Sequence, residues 1–90
     1  MNDDDQVKAG VPAARINFEV AQMIHDARTA AGLSQRELAE LVGSKQSVIA
    51  RLEDADYEGH SLTMLQRIAS ALTQRLEIRF VPEGRLRRRT

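Results

Sequence analysis

The sequence predicts a mainly α domain of four helices followed by one C-terminal β-strand. Three observations predict it. Residues 33–53, LSQRELAELVGSKQSVIARLE, carry two sets of helix start and stop signals with a glycine between them. Apolar residues recur at helical spacing on both sides of that stretch, over residues 20–31 and 62–72. After residue 74 the period changes from helical to an alternation of polar and apolar.

In the central stretch Ser34 is an N-cap, and Glu37 stands three residues later to complete a capping box. Leu33 and Leu38 occupy the two positions of a hydrophobic staple. The first helix therefore runs from about Gln35 to Val42, with Leu38, Leu41 and Val42 as its larger apolar residues. Gly43 supplies the left-handed residue that ends it. Ser44 is positioned to cap a second helix, Lys45 to Glu53, whose Ile49 and Leu52 point inward. Ala39 is small where the two helices approach. Helices this short are marginal alone and need flanking partners.

Those partners are legible on either side. Asn17 can cap the preceding helix, with Glu19 in its first turn and Val20, Ile24, Ala27 and Ala31 on one face. Gly32 ends it, and Arg28 lies near its C-terminus, where a cation is favoured. After the pair, residues 53–58 hold four acids (Glu53, Asp54, Asp56, Glu58) and, with Gly59, mark a loop. Tyr57 in that loop either anchors a partner or packs on its own domain. Ser61 or Thr63 caps the last helix, with Leu62, Leu65, Ile68, Ala69 and Leu72 as its apolar face, ending near Thr73.

Residues 75–81, RLEIRFV, read as a half-buried strand that Pro82 ends. Within the chain only Val7 to Val11 offers a partner, and it is weak. A lone strand leaves backbone N–H and C=O groups unpaired and invites another chain. The simplest is the same strand of a second copy about a two-fold axis, with Leu76, Ile78 and Phe80 covering the junction with the last helix. The rival is a foreign protein adding its own strand to this edge. Residues 1–15 read as a flexible N-terminal arm and 83–90 as a basic tail, leaving 16–82 as the domain. The tail's four arginines are either simply solvated or a grip on phosphate.

Composition narrows the function. Ninety residues make one domain, with an aliphatic core small enough that oligomerisation commonly supports it. There is no cysteine, hence no disulfide framework or cysteine zinc site. No apolar run approaches the ~20 residues of a membrane span. The acidic Asp3-Asp4-Asp5 is the reverse of a secretion signal, so a cytoplasmic protein is expected. The sequence contains no G-x-S-x-G elbow, no glycine-rich phosphate loop and no paired histidines at metal spacing; His25 and His60 stand apart. No enzyme activity and no cofactor or metal is expected. The net charge of zero hides an acidic loop and a basic tail.

A polar second helix in a short two-helix unit is a major-groove reader in many DNA-binding proteins. Here its outward positions are Lys45, Gln46, Ser47, Ala50 and Arg51, types that contact phosphates and base edges. At these residues a resemblance emerges. GLSQRELAELVGSKQSVIARLE resembles the Cro/cI-type helix-turn-helix of the Xre family in Gly32 to Gln35, Glu37 to Ala39, Gly43, Gln46-Ser47, Ile49 and Arg51 to Glu53. The resemblance implies the family's helical fold over most of residues 17–73 and sequence-specific binding of double-stranded DNA. It puts Gln46, Ser47 and Arg51 on bases, Ser34, Gln35 and Lys45 on phosphates, and Ala50 on the same face. It also implies an ion pair between Arg28 and Glu53. The acidic loop, where many members have an Asn-Gly turn, and the strand, where a fifth helix commonly follows, depart from the family.

A small helix-turn-helix unit with a C-terminal strand is similar to the HigA-like antitoxins of type II toxin–antitoxin modules. That likeness implies a homodimer on a palindromic operator, repressing its own operon and neutralising a toxin, usually a RelE-like RNase. The alternatives are a stand-alone or phage-type repressor without a toxin, and a protein-interaction module that binds no DNA. The acidic loop and zero net charge speak for the last.

Overall fold

Backbone chemistry at the helix ends sets the architecture of this computed structural model, which describes residues 13–82. Four helices follow in order: α1 (Ala13–Ala30), α2 (Gln35–Val42), α3 (Gln46–Leu52) and α4 (Leu62–Ala71). Gly32, at φ +75°, ends α1. There the Leu33 N–H reaches Arg28 O and the Gly32 N–H reaches Thr29 O. Gly43, at φ +71°, ends α2 in the same way, with Ser44 N–H on Ala39 O and Gly43 N–H on Glu40 O. Both are the paired bonds of a Schellman turn, which satisfy carbonyls a helix end leaves orphaned.

The capping box forms as expected: Ser34 Oγ accepts from Glu37 N–H at 3.0 Å, and Glu37 Oε1 accepts from Ser34 N–H at 2.8 Å. Ser61, rather than Thr63, caps α4 by accepting from Met64 N–H at 3.1 Å. Ser44 does not cap α3. The extended residue before α3 is instead Lys45, at φ −117° and ψ 152°, whose carbonyl accepts from the Val48 and Ile49 N–H groups.

α1 begins four residues before its expected cap. Asn17 lies inside it, and Ala13 to Arg15, read as part of the arm, are helical. Two alanines are the best helix formers, and a proline just before a helix breaks nothing. Glu19, expected in the first turn, instead pairs with Arg15 four residues back at 3.1 Å, both exposed.

The core lies where α1, α2, α3 and α4 meet. Ile24, Leu38, Ala39, Val42, Ile49, Leu52, Leu65, Ile68 and Leu72 are buried, and Leu38 and Ile49 are fully sealed. The inward face of α1 is Ala21, Ile24 and Arg28, with Val20 and Ala27 half-buried; Ala31 is exposed. Leu62, expected on the apolar face of the last helix, is exposed, as is Leu41, because each sits at the edge of its helix's apolar arc. Half-buried Tyr57 packs against the core and stands edge-on to His60, ring centres 5.1 Å apart. His60 Nε2 donates to Leu52 O at 2.7 Å, tying the loop to the end of α3.

The chain leaves α4 through a strained residue. Thr73 sits at φ +60° and closes the helix with Thr73 N–H on Ser70 O and Gln74 N–H on Ala69 O. A β-branched residue there costs roughly 1–2 kcal/mol that glycine does not. Thr73→Gly should therefore raise stability by about 1 kcal/mol and the melting midpoint by roughly 4–8 °C, read in a thermal melt of the two proteins. An unchanged or lower midpoint would mean that the turn carries no such strain.

Residues 74–82 form neither helix nor turn, and among the described residues there is no strand. The expected strand over 75–81 therefore has no ladder among the described residues. A ladder needs a second alternating segment, and residues 13–74 are used in helices and their connections. Leu76 is half-buried against the core, whereas Ile78 and Phe80 are exposed. The arm through Pro12 and the basic tail 83–90 lie outside the described residues.

Candidate nucleic-acid interface

The second helix of the pair projects a polar ridge. Gln46, Ser47, Ala50 and Arg51 share one face of α3 at i, i+1, i+4 and i+5, and all four are exposed. Lys45 precedes them, and Ser34 stands at the start of α2; both are exposed. Six of the seven expected contact residues therefore point to solvent. Inward, Ile49 and Leu52 bury the opposite face of the same helix.

The exception is Gln35, which is half-buried and bonded inside the protein. Its Nε2 donates to Glu53 Oε1 at 3.2 Å, and its Oε1 accepts from Gln46 Nε2 at 3.4 Å. Gln35 thus joins the start of α2 to both ends of α3. A side chain expected on phosphate also orients the glutamine beside it.

Glu53 anchors this chain of contacts. Its side chain is only 5 % exposed and receives a two-pronged guanidinium: Arg28 Nε donates to Oε2 at 2.7 Å and Nη2 to Oε1 at 3.0 Å. Arg28 Nη1 donates to Leu33 O at 2.8 Å, so one arginine links α1, the turn before α2 and the end of α3. Burial pushes the Glu53 carboxyl up, but hydrogen bonds from Arg28, Gln35 and His25 and the Arg28 charge outweigh it and hold it below its ordinary range. The bond to Glu53 likewise raises the Arg28 guanidinium, against the effect of burial.

The expected Arg28–Glu53 pair is thus present, with more partners than the sequence suggested. His25, three residues before Arg28 on α1, places Nδ1 3.2 Å from Glu53 Oε1. Its i, i+3 spacing from Arg28 was the available signal, since such residues share a helix face.

Charge on this face differs from the sequence count. Glu53 is neutralised by Arg28 and turned inward, while Lys45 and Arg51 remain exposed. In the acidic loop, Asp54 Oδ1 accepts from Asp56 N–H at 2.9 Å, so one acid serves to form the turn. Among the described residues no group of histidines, aspartates and glutamates could hold a metal ion. No helix among them is long and apolar enough to cross a membrane.

Comparison with known proteins agrees with this geometry. The helix-turn-helix family model matches residues 24–77, more than half of the chain. No curated protein matches the chain.

Proposed function

Because the chain belongs to the Cro/cI-type helix-turn-helix family of DNA-binding transcription regulators, we propose that it is a sequence-specific repressor acting as a homodimer on a roughly palindromic operator. The observation that carries this reading is the exposed polar ridge of α3. Arg51 offers a fork that matches guanine O6 and N7, and Gln46 offers an amide that matches adenine N6 and N7. Ser47 and Ala50 complete the surface against the bases. Ser34, Gln35 and Lys45 face the phosphates and set the register.

Arg51→Ala should lose roughly 1–3 kcal/mol of operator affinity and relax selection at one base pair. Gln35→Ala should weaken every sequence and also relax selection where Gln46 reads, because Gln46 loses its brace. Both are measured by mobility shift against the operator and single-base variants. Unchanged affinity and selectivity for Arg51→Ala would remove α3 from the groove and favour a protein-interaction module.

Within this reading the repressor is the antitoxin of a type II toxin–antitoxin module, working in the cytoplasm on its own operon. The support is an alternating C-terminal segment, residues 75–81, that follows the DNA-binding unit and forms no helix or strand among the described residues. Co-purification with the product of the neighbouring gene, a RelE-like RNase on this reading, tests it. A repressor that purifies alone and still binds its promoter would be a stand-alone or phage-type regulator.

A further inference from the structure

Beside α1 and α4 lies a cleft of about 270 Å³, lined chiefly by apolar groups including Met23, Ala27, Leu65, Leu72 and Leu76. It borders residues 74–82, which belong to no strand among the described residues. Met23 is 46 % exposed, Ile78 61 % and Phe80 fully exposed. An alternating segment has few ways of pairing with its own copy, and its charges choose among them.

Antiparallel pairing must put apolar opposite apolar, since a one-residue slip moves every side chain to the other face. A pair centred on Glu77 sets Glu77 against itself and Arg75 against Arg79. One centred on Arg79 sets that arginine against itself. One centred on Leu76 puts Phe80 opposite Leu72, which belongs to the end of α4 and is not free to pair. Only the pair centred on Ile78 uses all of residues 75–81. It sets Glu77 opposite the partner's Arg79 twice, Leu76 opposite the partner's Phe80 twice, and Ile78 on Ile78. Opposite charges directly across a ladder stabilise it and like charges weaken it.

We infer that two copies pair antiparallel in the register centred on Ile78, and that the partner's Phe80 closes the cleft between α1 and α4. The inference rests on the dimer reading above. Directly opposite residues stand ~4.5–5.5 Å apart between Cβ atoms. Leu76 lines the cleft, so the ring opposite it lies against Met23 and Leu72. The site is incomplete in one chain and is supplied by a second.

The chain contains no cysteine, so single introduced cysteines report the register in the full-length protein. Under mild oxidation Ile78→Cys should give a covalent dimer, because facing residues fall within disulfide reach. Glu77→Cys should cross-link more slowly. Faster cross-linking of Glu77→Cys would overturn the register. So would a protein that sediments as a dimer yet does not cross-link at Ile78→Cys, and in that case the dimer itself stands. A chain that sediments as a monomer and gives no covalent dimer leaves the cleft to a foreign strand or to residues 1–12, and both readings fall together. Charge reversal supplies a second readout. Glu77→Arg and Arg79→Glu should each weaken dimerisation roughly tenfold, and combining them should restore it. Additive losses would overturn the pairing, as would tighter association of Arg79→Glu, which the register centred on Glu77 requires.

Discussion

Arg28→Ala is expected to remove a large share of the domain's stability, about 3–5 kcal/mol. The loss exceeds that of an ordinary surface pair because of where Glu53 lies. Exposed ion pairs contribute ~0–1 kcal/mol, but these side chains are 11 % and 5 % exposed. Without the guanidinium, Glu53 keeps only Gln35 and His25 as donors, and the Leu33 carbonyl loses its partner. A domain this size has roughly 5–10 kcal/mol in total, so the variant should unfold early in a urea titration. Replacing both partners by apolar residues, Arg28→Met with Glu53→Leu, should recover much of the loss, because no buried charge then remains. If Arg28→Ala lost less than 1 kcal/mol, the pair would be ornamental to the fold.

The same pair sets a pH dependence. The folded Glu53 carboxyl lies below its ordinary value of 4.5. The unfolded chain therefore takes up a proton first as pH falls. The pair's contribution is complete above the unfolded value and disappears as pH drops through the folded one. In Arg28→Ala the buried carboxyl has lost its main compensation, and acid should relieve that variant. The stability gap between wild type and Arg28→Ala should be widest near neutral pH and narrow as pH falls below 4.5, as read by paired urea titrations.

These dependences were only partly legible in the sequence, and the difference is physical. Ser34 with Glu37, and Gly43 after Val42, are signals that act over three or four residues, and both formed as read. Ile49 and Leu52 followed from periodicity, Ala39 from the need for a small residue where two helices approach, and all three are buried. Asn17 failed as a cap because Ala13, Ala14 and the Arg15–Glu19 pair extend the helix past it. Ser44 failed because α3 begins one residue later than its spacing suggests, from the extended Lys45. Leu62 failed because spacing places a residue on a face without saying how wide the covered part is. Gln35 was hardest. Its half-buried bridge between Glu53 and Gln46 depends on the packing of α2 against α3, which no local pattern encodes. The strand over 75–81 exposes a further limit: alternation announces an edge, but one chain does not name the partner.

Ile78→Lys should separate the two copies and, with them, abolish tight operator binding. The substitution tests association rather than folding. Ile78 is 61 % exposed in the single chain, so its removal takes nothing from the core. Far-ultraviolet dichroism should therefore stay close to wild type, and the urea midpoint should fall only to that of the folded monomer and lose its dependence on protein concentration. In a dimer, two isoleucines that bury each other are replaced by two like charges at the two-fold axis. Losing the burial alone costs ~1.5–3 kcal/mol for each side chain, which raises the dissociation constant by roughly 10²–10⁴. DNA binding suffers in consequence. A dimer holds its two α3 helices for half-sites about one helical turn, ~34 Å, apart, so the second half-site is bound from a high effective concentration. A monomer retains one half-site and the contacts to phosphate, which resemble nonspecific binding in strength and salt dependence. The variant should shift operator DNA only where it also shifts unrelated DNA. An Ile78→Lys protein that sediments as an intact dimer, or a wild type that remains monomeric at micromolar concentration, would remove residues 75–81 from the interface.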